Sequence, residues 1–295
     1  MTDIVTTQAR RFDDFQSALE ASDTDKILIH DGTGTKTITA ANFKADLLAT
    51  LDELRTTVNM LTFPGAGPHN SIFRGKNMGD HVTPEQWAAI AVRTYEGLYI
   101  GDYWTINGIE WQIAACEYYY NTGQTEHYTI PHIVIVPRVP LYNALMNADS
   151  TTTGGYVGSE MRTIGLEQAK TIANAAFPGH VLTHRTCLVN AVTGGRPSGV
   201  VWVDGTVDLM SAIMMWGSAI FSPVSDGINV PSNETLTKTQ LPLMLYQPEL
   251  IRTSGICWLR DVVSNYTFAG IDHLGVALSL PANVGLGVRP YFLIG

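Results

Sequence analysis

Histidines and cysteines at close spacing are the first candidates for chemistry in this chain. His184 and Cys187 are three residues apart, and the spacing predicts a helix over 184–191 on which they would share a face. A cysteine–histidine pair becomes a nucleophile only where the thiolate is stabilised and a third group orients the base. Nothing nearby in the sequence supplies that third group. We therefore favour a buried thiol beside a hydrogen-bonded histidine.

A second group, Glu126, His127 and His132, raises the question of a metal. Two histidines five apart without a third ligand at a recognisable spacing are weak support for one, so we predict no metal site and no cofactor. Three cysteines at wide spacing form neither a disulfide framework nor a zinc pattern, and we expect buried thiols. They are Cys116, Cys187 and Cys257.

Phosphate and nucleic-acid chemistry is also disfavoured. The glycine-rich segment 154–162 looks like a phosphate loop, but no convincing strand precedes it and it lacks the lysine that would reach a phosphate. The formal net charge of −9 argues against a partner with a phosphate backbone. The sequence also shows no pair of carboxylates for glycan hydrolysis. We predict that the chain is not an enzyme and that it binds no nucleic acid.

The elements that would position any site begin with a small module over residues 1–39. Apolar residues at helical spacing predict an amphipathic helix over 8–21. Two short strands then flank the turn signal Asp31–Gly34 and predict a hairpin.

A helix with a heptad seam is predicted over residues 40–62. Its apolar positions alternate at spacings of four and three, which is typical of a coiled coil. They are Leu47, Leu51, Leu54, Val58 and Leu61. A lone helix of this length is marginal in water, so the apolar face needs a partner. We expect self-association into a homo-oligomer, a trimer being favoured; packing of the helix on its own globular domain is the alternative.

Residues 63–70 form a linker rich in proline and glycine, and a domain over 71–295 follows. Within it, Thr83 to Gln86 reads as a capping box, and Asn107-Gly108 predicts a type I′ hairpin between strands 103–106 and 109–116. A further strand is predicted over 132–136. Helices are predicted over 141–146, 164–177, 184–191 and 207–216. After Ser218 we expect alternating strands and turns, giving an α+β fold with one antiparallel sheet and packed helices. Trp104, Trp111 and Trp258 are expected to pack in the core.

Neither a secretory signal nor a membrane-spanning segment is predicted. The N-terminus lacks the basic and apolar regions of a secretory signal, and no apolar run approaches the roughly 20 residues needed to span a bilayer. We expect synthesis in a cytoplasm and no membrane insertion.

Several short motifs, in a fixed order, resemble bacteriophage tail and fibre proteins. They are 72–77 (IFRGKN), 100–104 (IGDYW), 141–147 (LYNALMN), 154–162 (GGYVGSEMR), 225–227 (SDG), 256–261 (ICWLRD) and 287–292 (GVRPYF). The last domain is similar to the superfamily of C-type lectins and formylglycine-generating enzymes, including phage receptor-binding proteins diversified by retroelements.

This resemblance implies a virion protein that is made in the host cytoplasm and binds a glycan or protein on the host surface. Its C-terminal domain would have a C-type-lectin-like fold, and its N-terminal region would attach to other virion proteins of the head or tail. The calcium motifs of true lectins and the reactive cysteine pair of the formylglycine-generating enzymes have no counterpart here. Calcium-dependent sugar binding and oxidase activity are therefore not implied.

By the same resemblance, framework residues near the C-terminus alternate with changeable, ligand-binding ones. The framework positions are Phe268, Ala269, Gly275, Ala277, Gly287, Val288, Arg289 and Pro290. The ligand-binding positions are Asn265, Tyr266, Gly270, Asp272, His273, Leu274, Val276, Leu278, Leu280, Val284 and Leu286. Arg260 and Arg289 are expected to hold carboxylates such as Asp261 within the fold.

A purely structural role is the alternative. A capsid-decoration or baseplate protein would use the same apolar positions, Leu274 to Leu280, to pack against neighbouring subunits.

Overall fold

The computed structural model describes residues 22, 24–30, 34–61, 65–123, 126–218, 220, 239–252 and 255–295, with the side chains of 29–30 and 53–61 left out. The chain divides into two compact units, residues 1–63 and 64–295. The helix predicted over 8–21 and the motif at 225–227 lie outside the described residues. Within the described part, no helix has the length and apolarity to cross a membrane.

The first unit contains a hairpin and a long helix. Strands β1 (Lys26–His30) and β2 (Thr35–Thr39) pair antiparallel, and helix α1 (Ala40–Leu61) follows directly. The side chains of Leu47 and Leu51 are 44% and 52% exposed. Those of Leu54, Val58 and Leu61 lie outside the described side chains. The helix forms where it was predicted, and its pairing with other copies stays a prediction.

The second unit is α+β with mostly sheet. Its first sheet has the strand order β10-β15-β5-β4-β3, with β7 also paired to β15. The strands are β3 (Tyr103–Ile106), β4 (Ile109–Cys116), β5 (Ile133–Pro137), β7 (Val181–Leu182), β10 (Val207–Leu209) and β15 (Pro290–Ile294). All of these pairings are antiparallel.

A second sheet has the order β13-β12-β11-β14-β6. Its strands are β6 (Tyr142–Ala144), β11 (Cys257–Val262), β12 (Thr267–Ile271), β13 (Ala277–Pro281) and β14 (Leu286–Val288). Strands β11 and β14 run parallel, and the other neighbours are antiparallel. A separate two-stranded ribbon joins β8 (His184–Thr193) to β9 (Arg196–Gly205). The single sheet predicted from the sequence is therefore wrong.

The helices of this unit are short. They are α2 (Ala66–Asn70), α3 (Pro84–Ala91), α4 (Glu167–Ala176), α5 (Ala212–Trp216) and α6 (Pro242–Tyr246), with a π-helical turn at Met161–Gly165 and a 3₁₀ turn at Pro248–Leu250.

Two local predictions are confirmed in detail. Asn107 and Gly108 have φ of 53° and 76°, as a type I′ turn requires. At the start of α3 the Thr83 hydroxyl accepts from the Gln86 N–H, and the Gln86 side chain accepts from the Thr83 N–H. The same Gln86 oxygen accepts from Trp104 Nε1 at 3.1 Å, so the cap also ties α3 to the first sheet.

Other predictions of element type are wrong. Residues 141–146 and 184–191 contain strands instead of helices, and only 212–216 of the helix predicted over 207–216 is helical. In the ribbon, Val189 faces Val200 and Leu188 faces Val201. Cross-strand packing of β-branched side chains stabilises a strand here more than the helical spacing of a few apolar residues would stabilise a helix.

The mainly aliphatic core of the second unit contains a group of packed aromatic rings. Trp104, Trp111 and Trp258 are 0%, 0% and 1% exposed, so their predicted role in packing is confirmed. Trp111 meets Phe177 and Phe292 edge-on, with ring centroids 5.9 and 5.4 Å apart, a favoured arrangement of aromatic rings.

The segments 72–77 and 100–104, two of the motifs named above, are joined through the buried carboxylate of Asp102. Asp102 is fully buried and accepts from Arg74 Nε at 2.9 Å and from Nη2 at 2.6 Å. It also accepts from the backbone N–H groups of Lys76 and Tyr99. A charge-assisted, two-pronged pair of this kind is geometrically demanding. These motif residues therefore hold the fold together.

A cluster of polar side chains lies within the core. The hydroxyl of Tyr119 donates to that of Tyr291 at 2.6 Å, and His184 Nε2 and Arg260 Nη1 each lie 3.3 Å from the Tyr291 hydroxyl. Nearby, His132 Nε2 accepts from the Tyr119 N–H at 3.0 Å. Burial lowers the pKa of His132 to about 4 and that of His184 to about 3, with nearby positive charge adding to the shift. Both rings are therefore neutral in the folded protein at pH 7.

These histidines should make the fold sensitive to acid. Each takes up a proton in the unfolded chain below about pH 6.5 and stays neutral when folded. Above pH 6.5 these histidines therefore leave the free energy of unfolding unchanged. As the pH drops from 6.5 toward 4, the free energy of unfolding should fall by roughly 1.4 kcal/mol per pH unit for each histidine. Urea unfolding at pH 7, 6 and 5 measures it.

Two variants identify the source of this dependence. His132→Gln should be less stable at pH 7 and should show a shallower decline with acid. His81→Gln, at an exposed position, should keep the parent's decline. Equal slopes in all three proteins would contradict the assignment.

Candidate functional site

The second sheet brings several strand ends to one edge. Cys257, the first residue of β11, pairs with Ile271 at the end of β12 and with Gly287 in β14. Ile271 also pairs with Ala277, the first residue of β13. The turn 272–276 and the segments 255–256 and 285–286 therefore lie at the same end of the sheet. We call these three segments the tip edge.

The turn of the tip edge is held by an aspartate. Asp272 Oδ1 accepts from the backbone N–H groups of Leu274 at 2.9 Å and Val276 at 2.8 Å. Gly275 has φ of +82°, a conformation that side chains other than glycine's disfavour. Hydrogen bonding from the Val276 N–H, and then from Leu274, lowers the pKa of the Asp272 carboxyl. Asp272 thus shapes the turn and keeps its charge at neutral pH.

The side chains that this turn presents are mainly apolar. Leu274 is 61% exposed and Val276 is 52% exposed, with His273 exposed between them. Ile256, on the neighbouring segment, is 37% exposed. Exposed apolar side chains that form a contiguous patch are typical of a contact surface, which makes this end of the sheet a candidate for one.

A cavity of about 530 Å³ adjoins this edge. It is lined by Val139, Pro140, Asn143, Gly255, Ile256, Gly285, Leu286 and Gly287. A Cβ atom at Gly287 would lie 2.9 Å from Pro140 Cβ and 3.1 Å from the Ile256 carbonyl. A glycine at position 287 therefore allows β14 to lie this close to Pro140 and to the Ile256 backbone.

Two predicted ligand-binding residues lie at the other end of the sheet. Asn265 and Tyr266 precede β12, whose first residue Thr267 pairs with Pro281. Five residues of extended strand separate the two ends by about 13 Å. Tyr266 is 62% exposed, and Ser150 Oγ donates to its carbonyl. The predicted ligand-binding residues are therefore divided between the two ends of the second sheet.

Three further predicted residues lie between these ends. Leu278 and Leu280 of the edge strand β13 are half-buried, and they pair with Gly270 and Phe268 of β12. Val284, in the crossing from β13 to β14, is also half-buried.

Gly270, by contrast, has no access to a ligand. It is buried in β12, and a Cβ there would lie 2.7 Å from Leu280 Cδ1 and 3.0 Å from the Cys257 carbonyl. The expectation of a changeable surface position is wrong here, because the strand needs room for the Leu280 side chain.

Some residues of the cavity were missed by sequence reasoning. Val139, Pro140 and Asn143 come from the segment around β6, more than a hundred residues before β14. The antiparallel pairing of β6 with β14 brings them together, with Asn143 beside Gly287 and Ala144 beside Leu286. No local pattern in the sequence signals that pairing.

The residues first considered for catalysis are not arranged for it. His184 and Cys187 lie on strand β8, where residues three apart point to opposite faces, so the shared helix face is wrong. His127 is exposed and His132 is buried. Among the described residues, no group of three or more His, Cys, Asp or Glu side chains could hold a metal ion.

The two C-terminal arginines are buried, but Arg289 differs from its expected role. Its Nε donates to the Pro137 carbonyl at 2.9 Å and its Nη1 to the Leu250 carbonyl at 2.6 Å. Burial lowers the pKa of Arg289 to about 10. The expected carboxylate is replaced by two backbone carbonyls, and Arg289 joins the end of β5 to the segment before β11.

The crowding at Gly270 leads to a stability prediction. Gly270→Ala should lower the free energy of unfolding by about 1–3 kcal/mol, because Leu280 and the β11 backbone must shift. Chemical denaturation of the full chain measures the change. Gly285→Ala is the matched control, since its nearest neighbour would be 4.0 Å away, and it should leave stability within about 0.5 kcal/mol of the parent. A neutral Gly270→Ala would contradict the packing described.

Comparison of the chain with family models, with curated proteins and with solved structures finds no match in any of the three.

Proposed function

We propose that this protein is a bacteriophage virion component that binds a host-surface receptor through the tip edge of a C-terminal lectin-like domain. The order of motifs in the sequence supports the class of protein. The tip edge supports the mode of binding. A phage location, the lectin-like fold and the absence of enzyme activity belong to the proposal together.

One observation supports the proposal most: exposed aliphatic side chains on a turn whose backbone is already fixed. Leu274 and Val276 project from a turn closed by Asp272, beside a cavity of about 530 Å³. A surface that is ordered before binding loses little conformational entropy when it meets a partner. Such preorganisation suits recognition more than catalysis, which needs converging titratable groups.

The N-terminal unit would supply attachment and multivalency. Leu47 and Leu51 are exposed on α1 in the single chain, and burial of each against other copies is worth roughly 1.5–3 kcal/mol. A trimer would present three tip edges at once and raise avidity without any new contact. Residues 1–39 would contact other virion proteins.

A purely structural role is the second candidate. The apolar character of the tip edge favours it equally, since neighbouring subunits of a particle could cover Leu274 and Val276. The two roles differ in what is lost when the edge is changed. Loss of host binding by normally assembled particles indicates recognition, and failed assembly indicates structure.

The recognition role predicts the effect of a charge at the tip edge. Val276→Asp should weaken binding of purified protein to host cells at least tenfold, because an unpaired carboxylate would be desolvated at the contact. Val92→Asp is the matched control, as Val92 is 68% exposed on a different segment, and it should bind like the parent. Flow cytometry of labelled protein on host cells measures both. Unchanged binding by Val276→Asp would contradict the proposal.

The oligomer has its own test. The double substitution Leu47→Glu and Leu51→Glu should convert a trimer to monomers. The reason is that like charges would face one another across the apolar face of α1. Light scattering coupled to size exclusion gives the mass of the full chain and of the variant. A parent protein that is monomeric at micromolar concentration would remove the coiled coil from the proposal.

A further inference from the structure

Strand β13 leaves one side of the second sheet open. It stands last in the strand order, and among the described strands it pairs with β12 alone. The end strand β3 of the first sheet differs, because the segment 76–79 covers its outer side through backbone hydrogen bonds with Tyr103 and Thr105. An uncovered strand presents unpaired N–H and C=O groups to which another chain can add.

The hydrogen bonds at the two ends of the β12–β13 hairpin show which groups point outward. The Asp272 N–H donates to the Val276 carbonyl, and the Ala282 N–H donates to the Tyr266 carbonyl, both at 3.0 Å. Pairs in an antiparallel ladder alternate between bonded and non-bonded. Counting from either end gives the same result: Leu278 and Leu280 bond to β12.

The intervening residues Ala277 and Ser279 therefore direct their N–H and C=O groups away from β12. No backbone group among the described residues bonds to these four outward groups. Ser279 is exposed and Ala277 is partly exposed, so both can be reached from solvent.

The edge also lacks the usual protection against pairing. End strands are commonly guarded by charged side chains, by proline or by a bulge. Residues 274–286 contain no charged side chain, and the five pairs of β13 with β12 run without a shift of register. Pro281 is the last residue of the strand, beyond the two residues with outward groups. The middle of β13 thus stays available for pairing.

The pattern of these groups fits a polypeptide backbone. A donor and an acceptor recur at every second residue, about 7 Å apart along the strand, which is the repeat of another extended chain. Leu274 and Val276, 61% and 52% exposed, immediately precede β13. A segment lying beside β13 would therefore also reach the tip edge and bury its aliphatic side chains. The absence of charge along 274–286 suits an uncharged segment.

We propose that β13 binds an extended, uncharged polypeptide segment of a host-surface protein by strand addition. This inference rests on the proposed receptor-binding function and specifies the partner as a protein. Backbone hydrogen bonds to Ala277 and Ser279 would supply affinity, and the apolar side chains of the tip edge would supply specificity.

Hydrogen exchange of the full chain alone tests the open edge without any host. The amides of Ala277 and Ser279 should exchange at least tenfold faster than those of Leu278 and Leu280, which bond to β12. Protection of Ala277 and Ser279 equal to that of their neighbours would overturn the proposal. If that protection weakens on dilution, the edge pairs with a second copy of the chain instead.

Ser279→Pro tests strand addition on host cells. Proline removes the outward N–H and no bond of the β12 ladder, a position that tolerates proline in an end strand. Ser279→Ala is the matched control, since it removes the hydroxyl that donates to Thr267 Oγ1 and keeps the N–H. Flow cytometry of labelled protein should show binding about tenfold weaker for Ser279→Pro than for Ser279→Ala. Hydrogen exchange on the parent decides the matter if Ser279→Pro does not fold.

Treatment of the cells identifies the class of partner. Proteinase K should abolish binding of the parent protein, whereas periodate, which oxidises vicinal diols of glycans, should leave it unchanged. The reverse result would assign the partner to a glycan and overturn the proposal. Equal binding by Ser279→Pro and Ser279→Ala would refute strand addition and leave receptor binding intact. A parent protein that does not bind host cells would refute receptor binding itself, and strand addition with it.

Discussion

The pairing of β11 with two different neighbours is the constraint on which the tip edge depends. β11 runs antiparallel to β12 and parallel to β14, so Cys257 stands beside both Ile271 and Gly287. The Gly287 N–H donates to the Ile256 carbonyl at 2.8 Å, an approach that a Cβ would obstruct. The short strand β14, which contains Gly287, thus places the cavity at the same end of the sheet as the turn 272–276. Without it, the same apolar residues would be scattered along the chain.

Buried charged side chains connect distant segments of the second unit. Arg289 follows β14 and binds two carbonyls from distant segments, while Asp102 organises the beginning of the unit with four donors. Burying an ion is costly, and removing any one of its partners leaves a penalty of several kcal/mol. We expect these charges to disfavour other arrangements of the strands, in which they would lose their hydrogen-bond partners. Arg74, Asp102 and Arg289 belong to motifs on which the resemblance depends, and each has a structural role inside the fold.

Prediction from the sequence succeeded where the signal was local. The Asn107-Gly108 turn and the Thr83–Gln86 cap each depend on residues within a few positions of each other. It failed where distant segments compete for the same residues: 184–191 joined a ribbon, and 141–146 became the edge strand beside β14. The division of the C-terminal residues between two ends of the sheet, and the burial of Gly270, depend on register. Register is set by the whole sheet, so a single sequence read locally could not supply it.

The two ends of the second sheet differ in chemistry, and this limits how one partner could use them. The tip edge presents Leu274 and Val276, whereas the opposite end presents Tyr266 among hydroxyl groups of Ser150, Thr267 and Ser279. About 13 Å of strand separates them, and the half-buried side chains of β13 lie between. A flat partner surface could contact both ends of the sheet only if it also covered the edge strand β13. A compact ligand would occupy one end, and the apolar, preordered end offers more favourable burial for each side chain that it orders.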